Sequence, residues 1–381
     1  MSKENAKPLR TVLFCAGDDE QDIKESYESG ADAIKRADQA MYLAKRAGRG
    51  ESGQESAEDR LIARHFKPIA RHPGALGLTD DAALLTPPAG HALVVTADAI
   101  VGGVHFFPND PPEAIAKKAL RVNLSDLAAK GAKPAGFVLT LALPNGLSDD
   151  WLKAFARGLG QDAKKFDCPL LGGDTVYTPG PATISITAFG TVPEGGMVKR
   201  SGACEGDHVV VTGTIGDAAL GLKLRRERAA AKRWKLDAAM QRHLAARYLV
   251  PEPRNALAEA VRLNASAAMD VSDGLAGDLG KLCRASGAGA EIEVARVPLS
   301  KAARAALAAE PKAIETVLTG GDDFEVVATI PSAALDVFLT AARAVRVPVT
   351  AIGRVTAGKA VRLLGPDGRP LRFARASFSH F

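Results

Sequence analysis

Apolar and polar positions along the chain fall into two alternating rhythms. The runs 92-ALVVTAD-98, 136-GFVLTLALP-144, 168-CPLLGGDT-175, 182-ATISITAFGTV-192 and 208-HVVVTGT-214 are short, apolar and bounded by glycine, proline or aspartate. Such runs predict strands. Between them, 111-PPEAIAKKALRVNLSDLAAKGA-132 and 148-SDDWLKAFARGLGQDAKKF-166 carry helical spacing, the first opened by proline. Upstream, 60-RLIARHFKPIA-70 predicts a helix. Downstream the pattern predicts a helix over 216–224 and a helical region broken by Pro251 and Pro253. Strand, turn and helix follow over 266–282, then a strand over 289–297, further helices, the segment 319-TGGDDFEVVATI-330, another helix and a strand over 348–355.

Mixed strands and helices in each half predict two α/β (α+β) domains. A chain of 381 residues is long for one core. Pro193, Gly195 and Gly196 cluster at the expected boundary, dividing the chain into 56–195 and 196–381. Residues 1–55 differ from both. In 31-ADAIKRADQAMYLAKRAGRG-50, Ala33, Ile34, Ala37, Ala40, Met41 and Ala44 form one apolar stripe, stopped by Gly48 and Gly50. The polar stretch 51–59 reads as a linker.

Composition narrows the classes. With 46% hydrophobic and 24% charged residues, the chain reads as globular. Aromatics are only 5%, too few for base-stacking platforms, so no nucleic-acid partner is expected. The net charge of +5 suits a binder of phosphorylated small molecules. The basic run 223-KLRRERAAAKRWK-235 reads as a solvated face. Cys15, Cys168, Cys204 and Cys283 form no CxxC pair and are expected as reduced thiols. No signal peptide or membrane span is visible, so a cytoplasmic chain is expected.

The chemistry lies in where aspartate recurs. Asp80 and Asp81 follow a glycine turn, Asp98 ends a strand, and Asp174 follows Gly172 and Gly173. Asp270 and Asp273 flank Ser272, and Asp322 and Asp323 follow Gly320 and Gly321. Asp126 shares a helical face with Asn123. Taken singly, an aspartate after a strand is a helix cap or turn residue. Asp126 is different, because a helix interior suits aspartate poorly. As a set, carboxylates converging with glycine loops imply a divalent cation between them and a phosphate, and oxygen-only ligands point to Mg²⁺. Walker, nucleophile-elbow, Rossmann and HExxH motifs are all missing. His105, in 102-GGVHFF-107, is a cleft residue or an ordinary loop histidine.

In order, GLTDDAALL, TADAIVGGVHF, NLSDLAAKGAKP, LLGGDT, RSGACEGD, MDVSDGL and TGGDDFE make residues 60–381 resemble thiamine-monophosphate kinases. These belong with aminoimidazole ribonucleotide synthetase, selenophosphate synthetase and the hydrogenase-maturation carbamoyl dehydratase. The resemblance implies the two-domain fold of that superfamily behind a short N-terminal extension. It implies a homodimer paired through the first domain's sheet and ATP lying between the domains. It implies Mg²⁺ ligands at Asp81, Thr96, Asp98, Asp126, Asp174, Asp270 and Asp273. ATP contacts are implied at Gly173, Asp174, Arg200 and Ser272, and substrate contacts at His105, Asp322 and a C-terminal aromatic, Phe378 or Phe381. Asp126 and Arg200 would carry the catalytic load. The implied reaction is ATP-dependent phosphorylation of thiamine monophosphate, without a phosphoenzyme.

Four positions depart from the family pattern: Thr79, Ala97, Asp322 in place of the commoner glutamate, and Arg375. The dehydratase would need a C-terminal acceptor cysteine, and selenophosphate synthetase a reactive residue near 74–81; neither is present. A catalytically inactive nucleotide-binding regulator is the alternative of another class. Residues 37–49, ADQAMYLAKRAGR, resemble the end of diguanylate cyclase (GGDEF) domains without their catalytic loop, so no cyclase activity is expected.

Overall fold

A computed structural model describes residues 56–371 together with Phe373 and Ser377. The helix expected over 31–50, Cys15, Arg375, Phe378 and Phe381 lie outside the described residues. Among the described residues, those from Leu61 onward form one compact unit.

The first sheet has four strands: β1 (His91–Val101), β2 (Lys133–Leu143), β3 (Leu170–Tyr177) and β4 (Thr183–Pro193). Their order is β1-β4-β2-β3, with β2 and β3 parallel and the other pairs antiparallel. Helix α1 (Pro112–Ala129) joins β1 to β2, and α2 (Asp149–Lys165) makes the crossover between the parallel strands. Both helices pack on one face. There Val94, Leu139, Leu141, Ile184 and Ile186 meet Leu120, Leu124, Leu127, Phe155 and Leu159. Truncating any of these leucines to alanine costs about 2–5 kcal/mol. The other face is open: Leu93, Val95 and Val176 are 41%, 58% and 45% exposed.

The second sheet has six strands in the order β10-β7-β9-β5-β8-β6. They are β5 (His208–Thr212), β6 (Ala267–Asp270), β7 (Gly289–Glu293), β8 (Val326–Ile330), β9 (Val349–Thr356) and β10 (Val361–Leu364). Every residue of β6 and β8 is buried, as expected of strands covered on both faces. Helix α3 (Asp217–Arg226) joins the main apolar cluster of this sheet, α4 (Ala238–Leu249) packs against α3, and α5 (Leu275–Ser286) lies on the strands themselves. Pro251 and Pro253 follow α4 immediately, as the breaks predicted.

Helix α1 also reaches the second sheet. Ser125 Oγ donates to the Phe324 carbonyl (3.3 Å) and Lys130 Nζ to the Ala268 carbonyl (2.6 Å). Arg121 pairs with Asp162 of α2 and donates to the Pro251 carbonyl (2.9 Å). These bonds account for polar side chains buried along an otherwise apolar helix.

Four expectations change. The segment 60–70 is not one α-helix but an α-turn (Ala57–Leu61), a π-turn (Ile62–Phe66) and a 3₁₀ turn (Lys67–Ile69). Pro68, which has no amide to donate, sits in the last of these. The strand expected over 289–297 stops at Glu293, where a 3₁₀ turn begins. The run 223–235 is not one solvated face. Ala230 and Trp234 are fully buried, and Lys223 and Arg226 line a cleft. Strand β10 was not anticipated. Cys168 and Cys283 are buried thiols that desolvation pushes up to about 12 and about 11.

Candidate active site

A cleft of about 710 Å³ runs between the end of β1, helix α1, the β6–α5 turn, the 319–325 loop and α3. It brings together Asp98, His105, Asp126, Arg200, Asp270, Ser272, Asp273 and Asp322, eight of the residues singled out from sequence.

Two side chains of α1 tie it to β1. The Thr96 hydroxyl donates to Asp126 Oδ2 (2.5 Å), and Asn123 Oδ1 accepts from the Asp98 amide (3.1 Å). The three-residue spacing that puts Asn123 and Asp126 on one helical face therefore aims both at one strand. Thr96 holds the Asp126 carboxylate and does not itself line the cleft.

The carboxylates press on one another. Asp98, solvent-accessible yet walled by protein, is raised to about 6, chiefly by desolvation and then by Asp126 and Asp273. Asp270 is buried and raised well above the usual range by desolvation, then by Asp126 and Asp278. Lys130 is pulled down to about 8 by burial and by Arg200, against the pull of Asp270 and Asp126. Asp273 pairs with Lys281, which also holds Asp278 (2.8 Å). No three His, Cys, Asp or Glu side chains among the described residues close around one point. The carboxylates line a wall and do not make a cage.

The rest of the set is elsewhere. Asp80, Asp81, Gly173 and Asp174 line a second pocket of about 270 Å³. Strand register explains the separation. Val95 pairs with Phe189, Phe189 with Gly136, and Thr140 with Asp174, which puts Asp174 on the open face of the first sheet. Thr96 and Asp98 alternate onto the helix-covered face. Gly173 has a structural reason of its own: a Cβ there would lie 1.8 Å from the Leu139 carbonyl oxygen.

At the other end of the cleft, His105 Nδ1 accepts from the Val101 amide (3.0 Å), so the neutral ring carries its proton on Nε2. Asp322 is held by Lys118 (2.8 Å). The sequence reading passed over Lys118, Lys130, Tyr248 and Lys281, and took Lys223 and Arg226 as part of a solvated basic run. Lys118 carried a weak signal, a charge inside the apolar stripe of 111–132; Lys130, Tyr248 and Lys281 carried none.

Residues 79–192 match the family model described as AIR synthase related protein, N-terminal domain, and residues 205–365 match its C-terminal domain counterpart. The chain is 43% identical over 321 residues to the thiamine-monophosphate kinase of Caulobacter vibrioides, covering 82% of this chain and 88% of that one. The crystal structure of thiamine-monophosphate kinase from Stenotrophomonas maltophilia K279a superposes with a TM-score of 0.72 at 40% identity, covering 82% and 96%. AaThiL complexed with AMPPCP and TMP superposes at 0.67 with 29% identity, covering 87% and 100%. Two domains of this type around an acidic cleft define a member of the AIR synthase related proteins. Within that class the chain belongs to the thiamine-monophosphate kinase family.

Proposed function

We propose that this chain transfers the γ-phosphoryl group of ATP to the phosphate of thiamine monophosphate, giving thiamine diphosphate and ADP. The reading rests on family membership and on one geometric fact: Asp98, Asp126, Asp270 and Asp273 share a cleft with Arg200. The acceptor phosphate is ionised near neutral pH, so no strong general base is required. What remains is positioning and charge compensation. Arg200, exposed on the cleft wall, is the proposed fixed positive charge on the transferring phosphoryl group. Ser272 and Gly173 are proposed to contact ATP. His105, through its Nε2 proton, and Asp322 face the acceptor, with Phe378 proposed beside them from the resemblance.

The carboxylate wall fits Mg²⁺. Its donors are all oxygen, they repel one another when unpaired, and Mg²⁺ is characteristically held by one or two carboxylates plus substrate phosphates. Asp98, Asp126, Asp270 and Asp273 would hold it in the cleft, with Thr96 orienting Asp126, and Asp81 and Asp174 are proposed as further ligands on the resemblance. When bound, the metal supplies charge neutralisation between approaching phosphates.

Two copies are proposed to pair through the open face of the first sheet, where Leu93, Val95 and Val176 present apolar surface. The division into 56–195 and 196–381 is proposed on the two sheets. The substrates proposed are a nucleotide and a vitamin phosphate, which makes the cytoplasm the proposed compartment. Separately, no helix among the described residues is long and apolar enough to cross a membrane.

A coupled ADP-release assay tests the reaction. ADP should form only when ATP, thiamine monophosphate and Mg²⁺ are all present, and chelation should stop it. ADP formation indifferent to thiamine monophosphate, or none at all, would overturn the proposal and favour an inactive nucleotide-binding relative.

A further inference from the structure

Lys118 lies in the apolar stripe of α1 and is only 2% exposed. A buried ammonium has three protons to satisfy and a desolvation penalty to offset. Its surroundings answer both. Nζ donates to the His105 carbonyl (2.9 Å) and to Asp322 Oδ2 (2.8 Å), and sits 4.1 Å from the centroid of the Tyr248 ring. The Tyr248 hydroxyl donates to the same His105 carbonyl (3.2 Å).

The two groups so joined come from distant parts of the chain. His105 follows β1 of the first sheet. Asp322 belongs to the loop that leads into β8 of the second. Both line the cleft. The Asp322 loop is not a relaxed one. Asp322 and Phe324 adopt φ of 73° and 50°, left-handed values that disfavour side chains. The backbone is pinned by Asp322 N–H to the Ser272 carbonyl (2.8 Å) and Phe324 N–H to the Val271 carbonyl (2.8 Å). The Asp323 carboxylate accepts from the Gly216 amide (2.6 Å). Those bonds fix where the loop runs. The bond to Lys118 fixes where the Asp322 carboxylate points.

We infer that Lys118 is a positioning residue for the acceptor substrate: one buried ammonium sets the His105 turn and the Asp322 carboxylate together, across the two sheets. The inference rests on the proposed reaction, in which this wall faces the acceptor. Without the ammonium, the Asp322 carboxylate loses its compensating charge and is free to swing into the cleft. There it opposes the acceptor phosphate. The nucleotide end, which contains Arg200 and Ser272, is not touched.

The experiment compares the native chain with Lys118→Met, Asp322→Asn and the double variant. In each, KM and kcat are measured for both substrates, and AMPPCP affinity is measured by calorimetry. Lys118→Met should raise KM for thiamine monophosphate on the order of 10- to 100-fold, with AMPPCP affinity unchanged. Adding Asp322→Asn to Lys118→Met removes the stranded carboxylate, so the double variant should fall back to the KM of Asp322→Asn alone. Native KM for thiamine monophosphate in Lys118→Met, an equal loss of nucleotide affinity, or strictly multiplying losses in the double variant each overturn the role. Should Lys118→Met fail to fold, Asp322→Asn decides alone: an unchanged KM for thiamine monophosphate defeats the inference. A native chain without thiamine-monophosphate-dependent ADP release defeats the functional reading itself, and Lys118's role with it.

Discussion

A carboxylate in the body of a helix has to be held in place, and at Asp126 the holder is the Thr96 hydroxyl across the strand–helix contact. Asp126→Asn keeps the size and removes the charge. It should lower kcat on the order of 10²- to 10³-fold, the effect of losing one preorganised electrostatic contact. Steady-state turnover close to native would argue against any metal role for this residue. Asp126 was legible in the sequence because an aspartate amid apolar helical positions has no good local reason to be there. Gly173 was legible as a glycine, yet the backbone contact with Leu139 that demands it depends on strand register, which no local pattern encodes. Lys118 was not legible as a partner of the cleft residues. Lysine is a good helix former, and its partners lie 13 and 204 positions away.

Elements were read well where one period runs long, as in α1 and β4, and poorly where tertiary contacts end them. Strand β10 has four residues at a sheet edge, too few for a periodic signal. Helices α3 and α4 show how an element is secured by one pair. His243 of α4 bonds Asp217 at the start of α3 (2.8 Å), and Asp217 also accepts from Thr214 (2.6 Å) and Ser300 (2.5 Å). The hydrogen bond to Asp217 is the main force raising the His243 pKa above 6.5. A raised folded-state value stabilises the protein fully below about 6.5 and ceases to do so as pH rises through the folded value. His243→Ala should therefore lower the thermal midpoint most below about pH 6.5, with the gap to the native chain narrowing as pH rises through the raised folded-state value. A gap that stays constant over that range would show that the proton on His243 contributes nothing.

At the scale of the molecule, both halves of the fold were readable because each alternates strand and helix within short distances. The grouping of the aspartates was not. The sequence reading joined them into one cluster, whereas strand parity sends Asp174 to the open face and leaves Asp98 and Asp126 on the covered one. That open face is where pairing of two copies is proposed. Val95→Lys puts a charge at its exposed centre and should shift the chain toward monomer, read by light scattering after size exclusion. An unchanged dimer in that variant, or a native chain that is already monomeric, would remove this face from consideration.

Helix α1 also limits how the gene can change. Lys118, Asn123, Asp126 and Lys130 take their bearings from one axis and reach both sheets. Inserting a single codon after Ala119 would turn every later side chain by roughly 100° and advance it about 1.5 Å. Three of those four would then face the wrong neighbours at once. By contrast, an inserted residue in the largely exposed 86–90 turn would leave all four of these contacts in place.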